Sequence, residues 1–278
     1  MVPTFKEIGR RSRTCQKGSW GRSAALFTLS VSLPLSFGIL NAVAQLLFER
    51  PQVSGTLYAF WPRLPGIFSA SIALSLAICA LLALAPLRMG CRAWYYGGTI
   101  RSSRSRKWVT FWYKPTQAFH AAHISISLAV RKLAWALFLL LPGALLCAGA
   151  LYISSREGLE TRMFAVLLGG AGLLMLCGFF AWLCVIQRYA LVPWMAVRYP
   201  KISVKKLLVK SKACMEGRYG YSLRMALRML PFAPLAMLGA PLLWIVPYAW
   251  QRRAVWAQAL IEGVRCGHFL TAIANSYD

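Results

Sequence analysis

Residues 23 to 48, SAALFTLSVSLPLSFGILNAVAQLLF, run without one charged side chain for longer than the roughly 20 residues a helix needs to cross a bilayer. Such a run is solvated by lipid or by a large protein interior, and three more follow it. They are LPGIFSASIALSLAICALLALAPL (64 to 87), LAWALFLLLPGALLCAGALYI (133 to 153) and the stretch that begins at Met163. Four such runs in 278 residues leave too little polar chain to bury them. Charged residues make up only 14% of the sequence, against about a quarter in soluble domains, so the expected class is all-α: a polytopic membrane helix bundle. Within the runs, Pro34 predicts a kink. Ser69, Ser71 and Ser75 predict a small-residue packing face, and Gly169, Gly170, Gly172 and Gly178 predict close helix approach. The first run is too long for a signal-peptide core and is read as a retained helix.

A fifth apolar region, MLPFAPLAMLGAPLLWIVPYAW (229 to 250), carries Pro231, Pro234, Pro241 and Pro247, too many for one straight helix. Two crossings that turn near Gly239 would place Arg252 and Arg253 inside the second, at a cost of about 2.5 to 3.5 kcal/mol each at the bilayer centre. Five or six transmembrane helices are both compatible with the pattern, and we favour six.

The charge is lopsided in sign and in place. The chain has 32 Lys and Arg against 7 Asp and Glu, a net of +25. Six basic residues precede the first run, nine lie between the second and third, and ten lie from Arg188 to Arg228; the alternate loops hold two each. By the positive-inside rule the N-terminal segment (1 to 22) and the basic loops 88–132 and 198–220 are cytoplasmic. Arg252, Arg253 and Arg265 favour the same side for the tail, 263 to 278. Basic residues interleaved with Trp94, Tyr95, Tyr96, Trp108, Trp112 and Tyr113 also suit nucleic acid. Beside apolar spans, anionic headgroups are the expected counter-charge, and no nucleic acid is expected as a partner. Tyr58 and Trp61 are read as headgroup-level aromatics.

Chemistry for catalysis is sparse. No carboxylate falls in the middle of the first four runs, and HAAH (His120, His123) offers two ligands with no acid or thiol nearby. Eight cysteines are scattered without CxxC spacing and are expected as reduced thiols. No catalytic residue, cofactor site or metal site is assigned.

One stretch does carry a pattern. In YPKISVKKLLVKSKACMEGRYGY (199 to 221), Ser203 predicts an N-cap and Gly217 a C-terminal stop. Val204, Leu207, Leu208, Ser211 and Met215 share one face. Lys205 and Lys212 flank that face, while Lys206 and Lys210 are expected to point away from it. The segment reads as a cytoplasmic-side amphipathic helix lying in the headgroup plane. The candidate headgroup-contacting residues are Lys201, Lys205, Lys206, Lys210, Lys212 and Arg218, with Arg101, Arg104, Arg106 and Lys107 from the preceding basic loop.

The motifs APLRMG (85 to 90), LCVIQRYALVPWMA (183 to 196), the lysine-rich stretch and PLLWIVPYAWQRRAVWAQALIE (241 to 262) resemble, in order, a bacterial multi-pass family labelled domain of unknown function 975. The matching positions are Pro86, Leu87 and Gly90; Tyr189 and Pro193; Ser211, Met215 and Gly217; and Pro247 with Tyr248. This chain departs from the family pattern at Lys201 and Glu216 and in its strongly basic loops. The resemblance implies an integral protein of the bacterial plasma membrane and no reaction. The expected function is therefore a non-enzymatic binding, scaffold or accessory subunit that faces anionic lipids and has a possible membrane-protein partner. A permease or channel is the alternative, and a lipid-modifying enzyme a more distant one.

Overall fold

In the computed structural model, residues 4–49, 64–100, 107–157, 161–228 and 242–263 are described, and among them every element is helical. Two compact units divide the chain: the described parts of residues 1–123 and 232–267, and residues 124–231.

The first unit opens with helix α1, Phe5–Gln16, started by a capping box. The Glu7 amide donates to Thr4 Oγ1 at 3.3 Å, and the Thr4 amide donates to Glu7 Oε2 at 2.7 Å. Ile8, Ser12 and Gln16 recur every fourth residue and are buried, so α1 is amphipathic in a segment expected only to be basic and polar. Gly18, at φ +76°, ends α1 in a conformation an L side chain rarely adopts, and α2, Trp20–Glu49, follows. Helix α3, Leu64–Ile100, has 37 residues, about 55 Å at ~1.5 Å per residue, and so outreaches a hydrocarbon core of about 30 Å. The short α4, Lys107–Thr110, and a 3-10 turn, Phe111–Tyr113, lead into α5, Pro115–Glu157. Helix α10, Leu242–Ile261, closes the unit by packing on α1, α2 and α3.

Burial in this unit is concentrated at one end. Ala85, Leu87, Met89, Cys91 and Ala93 to Tyr96 of α3 are buried with Ile8 of α1 and with Ala254 to Ala257, Leu260 and Ile261 of α10. Leu29, Leu35, Ile39, Leu40, Leu74 and Ile78 are exposed apolar side chains toward the other end of α2 and α3. A buried end and a greasy exposed shaft are what a helix bundle looks like when lipid solvates the shaft.

This arrangement corrects the reading of 88–132 as one surface-lying loop. Residues 88–100 continue α3 and residues 115–132 begin α5, so the segment is two helical extensions joined near α4. Trp94, Tyr95, Tyr96 and Trp112 are core residues here and not headgroup aromatics; Trp108 and Tyr113 stay exposed. Tyr58 and Trp61 lie outside the described residues.

In the second unit, α5 from Ile124 onward packs against α6, Thr161–Ile186. A Cβ added to Gly178 would overlap the Leu139 carbonyl, and one added to Gly143 would lie 3.2 Å from the Ala171 carbonyl. The Trp182 indole donates to the Lys132 carbonyl at 3.0 Å. Gly169, Gly170 and Gly172 have nothing within 4 Å, so of the four glycines expected at the helix approach only Gly178 is there, and Gly143 is the unforeseen second. Ser71 and Ser75 of α3 are exposed, and Ser75 Oγ donates back to the Ser71 carbonyl at 2.8 Å, so they bond within their own helix. Helices α2 and α5 continue through Pro34 and Pro142.

After α6 come a 3-10 turn, Gln187–Tyr189, then α7, Val192–Arg198, α8, Val204–Met215, and α9, Tyr219–Leu227. Pro193 lies in the first turn of α7, where its missing N–H costs no hydrogen bond. Leu191, Val192, Met195, Ala196, Leu207 and Met215 are fully buried, and each large apolar side chain among them contributes about 1.5 to 3 kcal/mol on burial.

The α1 cap carries a pH prediction. Hydrogen bonds from the Thr4 amide and hydroxyl hold the Glu7 carboxyl below the ordinary glutamate range. A lowered folded-state value stabilises α1 fully above the unfolded range and loses that effect as pH falls through the lowered value. Thr4→Ala removes the cap and flattens this dependence, measured as amide-exchange protection of residues 8–12 against pH.

Candidate functional site

Helix α8 begins at Ser203, which has the extended backbone of an N-cap (φ −63°, ψ 146°) but makes no side-chain cap bond. It ends where Gly217, at φ +71°, turns the chain. The expected apolar face is the buried one: Val204, Leu207, Leu208, Ser211 and Met215. It packs on α7 and on the 3-10 turn, so protein rather than lipid covers it, which corrects the picture of a helix with its apolar side in the headgroup plane.

Polar groups fasten this packing. Ser211 Oγ donates to the Arg188 carbonyl at 2.7 Å, filling an acceptor that the end of α6 leaves open. Ser222 Oγ of α9 donates to Gln187 Oε1 at 2.7 Å, and the Arg188 guanidinium stands 5.9 Å from the Tyr219 ring centroid. Ser211→Ala is expected to destabilise the protein by about 1 kcal/mol, read by thermal unfolding in detergent, because the carbonyl loses its partner.

The outward face of α8 is the cationic one. Lys201, Lys205, Lys206 and Lys212 are exposed, and Arg218 is half-buried. The side chains of Lys201, Lys205 and Lys212 have no hydrogen bond or ion pair among the described residues. Lys210 departs from expectation: it is 5% exposed, its stem enclosed at the edge of the packed face. It therefore leaves the headgroup-contacting set. Lys107 is exposed at the start of α4; Arg101, Arg104 and Arg106 lie outside the described residues.

A second cationic face, not singled out from the sequence, lies on α1. Lys6, Arg10, Arg13 and Lys17 follow at i, i+4, i+7 and i+11 and are all exposed, opposite the buried Ile8, Ser12 and Gln16. Its signal was legible as Thr4-x-x-Glu7 followed by an apolar residue.

The remaining motif positions are structural. Pro86 and Gly90 lie in the buried part of α3, and a Cβ on Gly90 would come within 3.1 Å of Val109 Cα, so the glycine lets α4 sit against α3. Tyr189 is half-buried in the 3-10 turn. Pro247 is buried inside α10, and the Tyr248 ring lies under the Arg252 guanidinium at 5.6 Å. Around them a polar lattice joins the helices of the first unit. Arg11 donates to Gln258 Oε1 at 3.3 Å, Gln258 donates to Glu262 at 2.9 Å, and Gln251 donates to the Tyr95 carbonyl at 3.5 Å. The Arg92 guanidinium stands 5.9 Å from the Trp250 ring centroid.

Among the described residues no three His, Cys, Asp or Glu side chains come together as metal ligands, and His120 and His123 stand without a third. Six cysteines are free thiols, but Cys214, in the last turn of α8, is disulfide-bonded, against the expectation of reduced thiols.

Fold and surface together define a helical membrane protein, with four helices among the described residues long and apolar enough to cross a bilayer, within Trp20–Val43, Leu74–Ile100, Pro115–Ser155 and Arg162–Arg198. No protein family, curated protein or solved structure matches the chain.

Proposed function

We propose that the protein is a non-enzymatic integral membrane protein of the bacterial plasma membrane, a binding, scaffold or accessory component whose cationic faces on α8 and α1 engage anionic headgroups from the cytoplasmic side. The observation that carries this reading is the set of exposed lysines on α8 and just before it, Lys201, Lys205 and Lys212, with no anionic partner among the described residues. Charges left unneutralised beside a greasy shaft favour an anionic leaflet by about 1 kcal/mol per Lys or Arg near the surface. The order of the motif residues adds the proposal that the chain is akin to the uncharacterised 975 family. Resistance of the protein to alkaline extraction from membranes, with enrichment of phosphatidylglycerol over phosphatidylcholine around it, is the expected result. Extraction by alkali, or lipid enrichment blind to charge, contradicts it.

The same proposal extends to the span count. The buried end of α10 lies against α1, so its last residues are on the side of the N-terminal helix. Among the described residues Leu242–Trp250 precedes that buried end, about 13 Å of helix and less than a crossing. Four crossings, by the four long apolar helices, with the C-terminus on the cytoplasmic side, are then the arrangement we propose in place of five or six. Short apolar helix segments are also what transporters use to line a path, and Leu242–Trp250 keeps the permease reading as second. Proteoliposomes that hold pH and salt gradients as tightly with the protein as without it would remove it.

A further inference from the structure

Helices α2, α3 and α4 enclose a cleft of about 370 Å³, within the range of about 300–1,000 Å³ typical of ligand sites. Its walls are Ala25, Leu26 and Leu29 of α2, Trp94 of α3, and Val109 and Thr110 of α4, with Arg22 as its one charged residue. Arg22, Ala25, Leu26 and Leu29 follow at i, i+3, i+4 and i+7, so they form one stripe along α2 that covers about 10 Å from its charged to its apolar end.

Three observations define what fits. Arg22 is exposed and has no hydrogen bond or ion pair among the described residues, so the cleft offers an unneutralised guanidinium at one end. The other end is Leu29, 45% exposed and the first of the exposed apolar side chains that continue along α2 through Leu35 and Ile39. Trp94, 3% exposed, forms a rigid inner wall, and Gly97, one helical turn on, leaves the room that brings the Trp108 ring within 3.2 Å of where a Cβ would be. A cation at the membrane boundary, followed by an apolar channel that leads into the lipid-facing surface, has the polarity of a phospholipid.

We propose that this cleft holds one anionic phospholipid, its phosphodiester on the Arg22 guanidinium and one acyl chain along Leu26, Leu29 and Trp94. A guanidinium pairs two phosphate oxygens at once, which an ammonium does not. Phosphatidylglycerol presents that phosphate without a compensating amine, so it is preferred to phosphatidylcholine. The inference rests on the membrane reading above but concerns a single seated lipid, whereas the lysine face acts on the leaflet as a whole.

The test is native mass spectrometry of the full-length detergent-solubilised protein titrated with phosphatidylglycerol, phosphatidylcholine or glycerol phosphate. The expected result is one phosphatidylglycerol retained against detergent, with phosphatidylcholine and glycerol phosphate failing to displace it. Arg22→Gln weakens retention at least tenfold, Arg22→Lys restores part of it, and Leu26→Trp, which fills the cleft, abolishes it with the thermal transition unchanged. Equal retention of both lipids, displacement by glycerol phosphate, or full retention in Leu26→Trp overturns the proposal. Lys201→Gln, Lys205→Gln and Lys212→Gln combined should leave the seated lipid in place while removing the general preference for anionic lipid. Loss of the seated lipid in that variant also overturns the cleft assignment. Failure of the leaflet reading is seen separately, as a lack of anionic enrichment around the wild-type protein in bilayers.

Discussion

Gly178→Ala lowers the stability of the protein by about 1 to 3 kcal/mol, while Gly170→Ala leaves it unchanged or raises it by up to about 1 kcal/mol. Both are glycines of α6 given the same methyl group, and they differ in what that group meets. At Gly178 it runs into the Leu139 backbone carbonyl of α5, which cannot rotate away as a side chain tip can. At Gly170 it meets open space, and the helix gains the better propensity of alanine. In a bilayer, where lipid tails are as apolar as leucine, helix pairs hold together largely through such close approach, so losing it separates α5 from α6. Thermal unfolding in detergent, followed by circular dichroism, reads the difference. Equal behaviour of the two variants would mean that the α5–α6 contact is not where the structure places it.

Replacing Lys201, Lys205 and Lys212 together with Gln reduces the preference of the protein for phosphatidylglycerol over phosphatidylcholine by up to about 3 kcal/mol, or roughly a hundredfold, at low salt. Spin-labelled lipids in mixed bilayers report that preference directly. Raising the ionic strength to about 1 M shrinks the Debye length to roughly 3 Å and should bring wild type toward the triple variant. Lys210→Met is the internal contrast. Its ammonium stem is enclosed by the packed face of α8, so methionine preserves the packing and the lipid preference stays near wild type. An effect of Lys210→Met as large as that of the triple variant would contradict the assignment of the outward face.

The parts of the fold that depend on length and polarity were legible in the sequence. Uncharged runs longer than a bilayer located α2, α3, α5 and α6, and the spacing of Val204, Leu207, Leu208, Ser211 and Met215 gave both the existence of α8 and its buried face. What covers that face was not legible, because a stripe of apolar side chains fits a membrane and a neighbouring helix equally well. The same ambiguity misplaced Trp94, Tyr95 and Tyr96, whose amphipathic rings suit an interface but here pack in the core of the first unit. Glycines show the limit from another side. The sequence shows where a close approach is possible, and only the partner helix decides that Gly178 is used and Gly170 is not. The basic stripe of α1 was visible in principle, since Thr4 and Glu7 stand at capping-box spacing. Hydropathy does not reveal it, because the helix is too polar.

Two features of α8 point to opposite compartments. The proposed orientation puts this helix in the reducing cytoplasm, whereas a disulfide at Cys214 belongs in an oxidising compartment. The proposed orientation follows the charge, because the N-terminal segment and alternate inter-run loops hold twenty-five basic residues and the intervening loops four. The most direct test is to treat intact cells expressing the wild-type protein with a membrane-impermeant maleimide, then permeabilised cells, and to map the Cys214 peptide by mass spectrometry. The proposed orientation predicts no modification in intact cells, with or without an impermeant reductant, and ready modification once the cells are permeabilised and reductant is added. Modification in intact cells once an impermeant reductant is added would place α8 outside and contradict it.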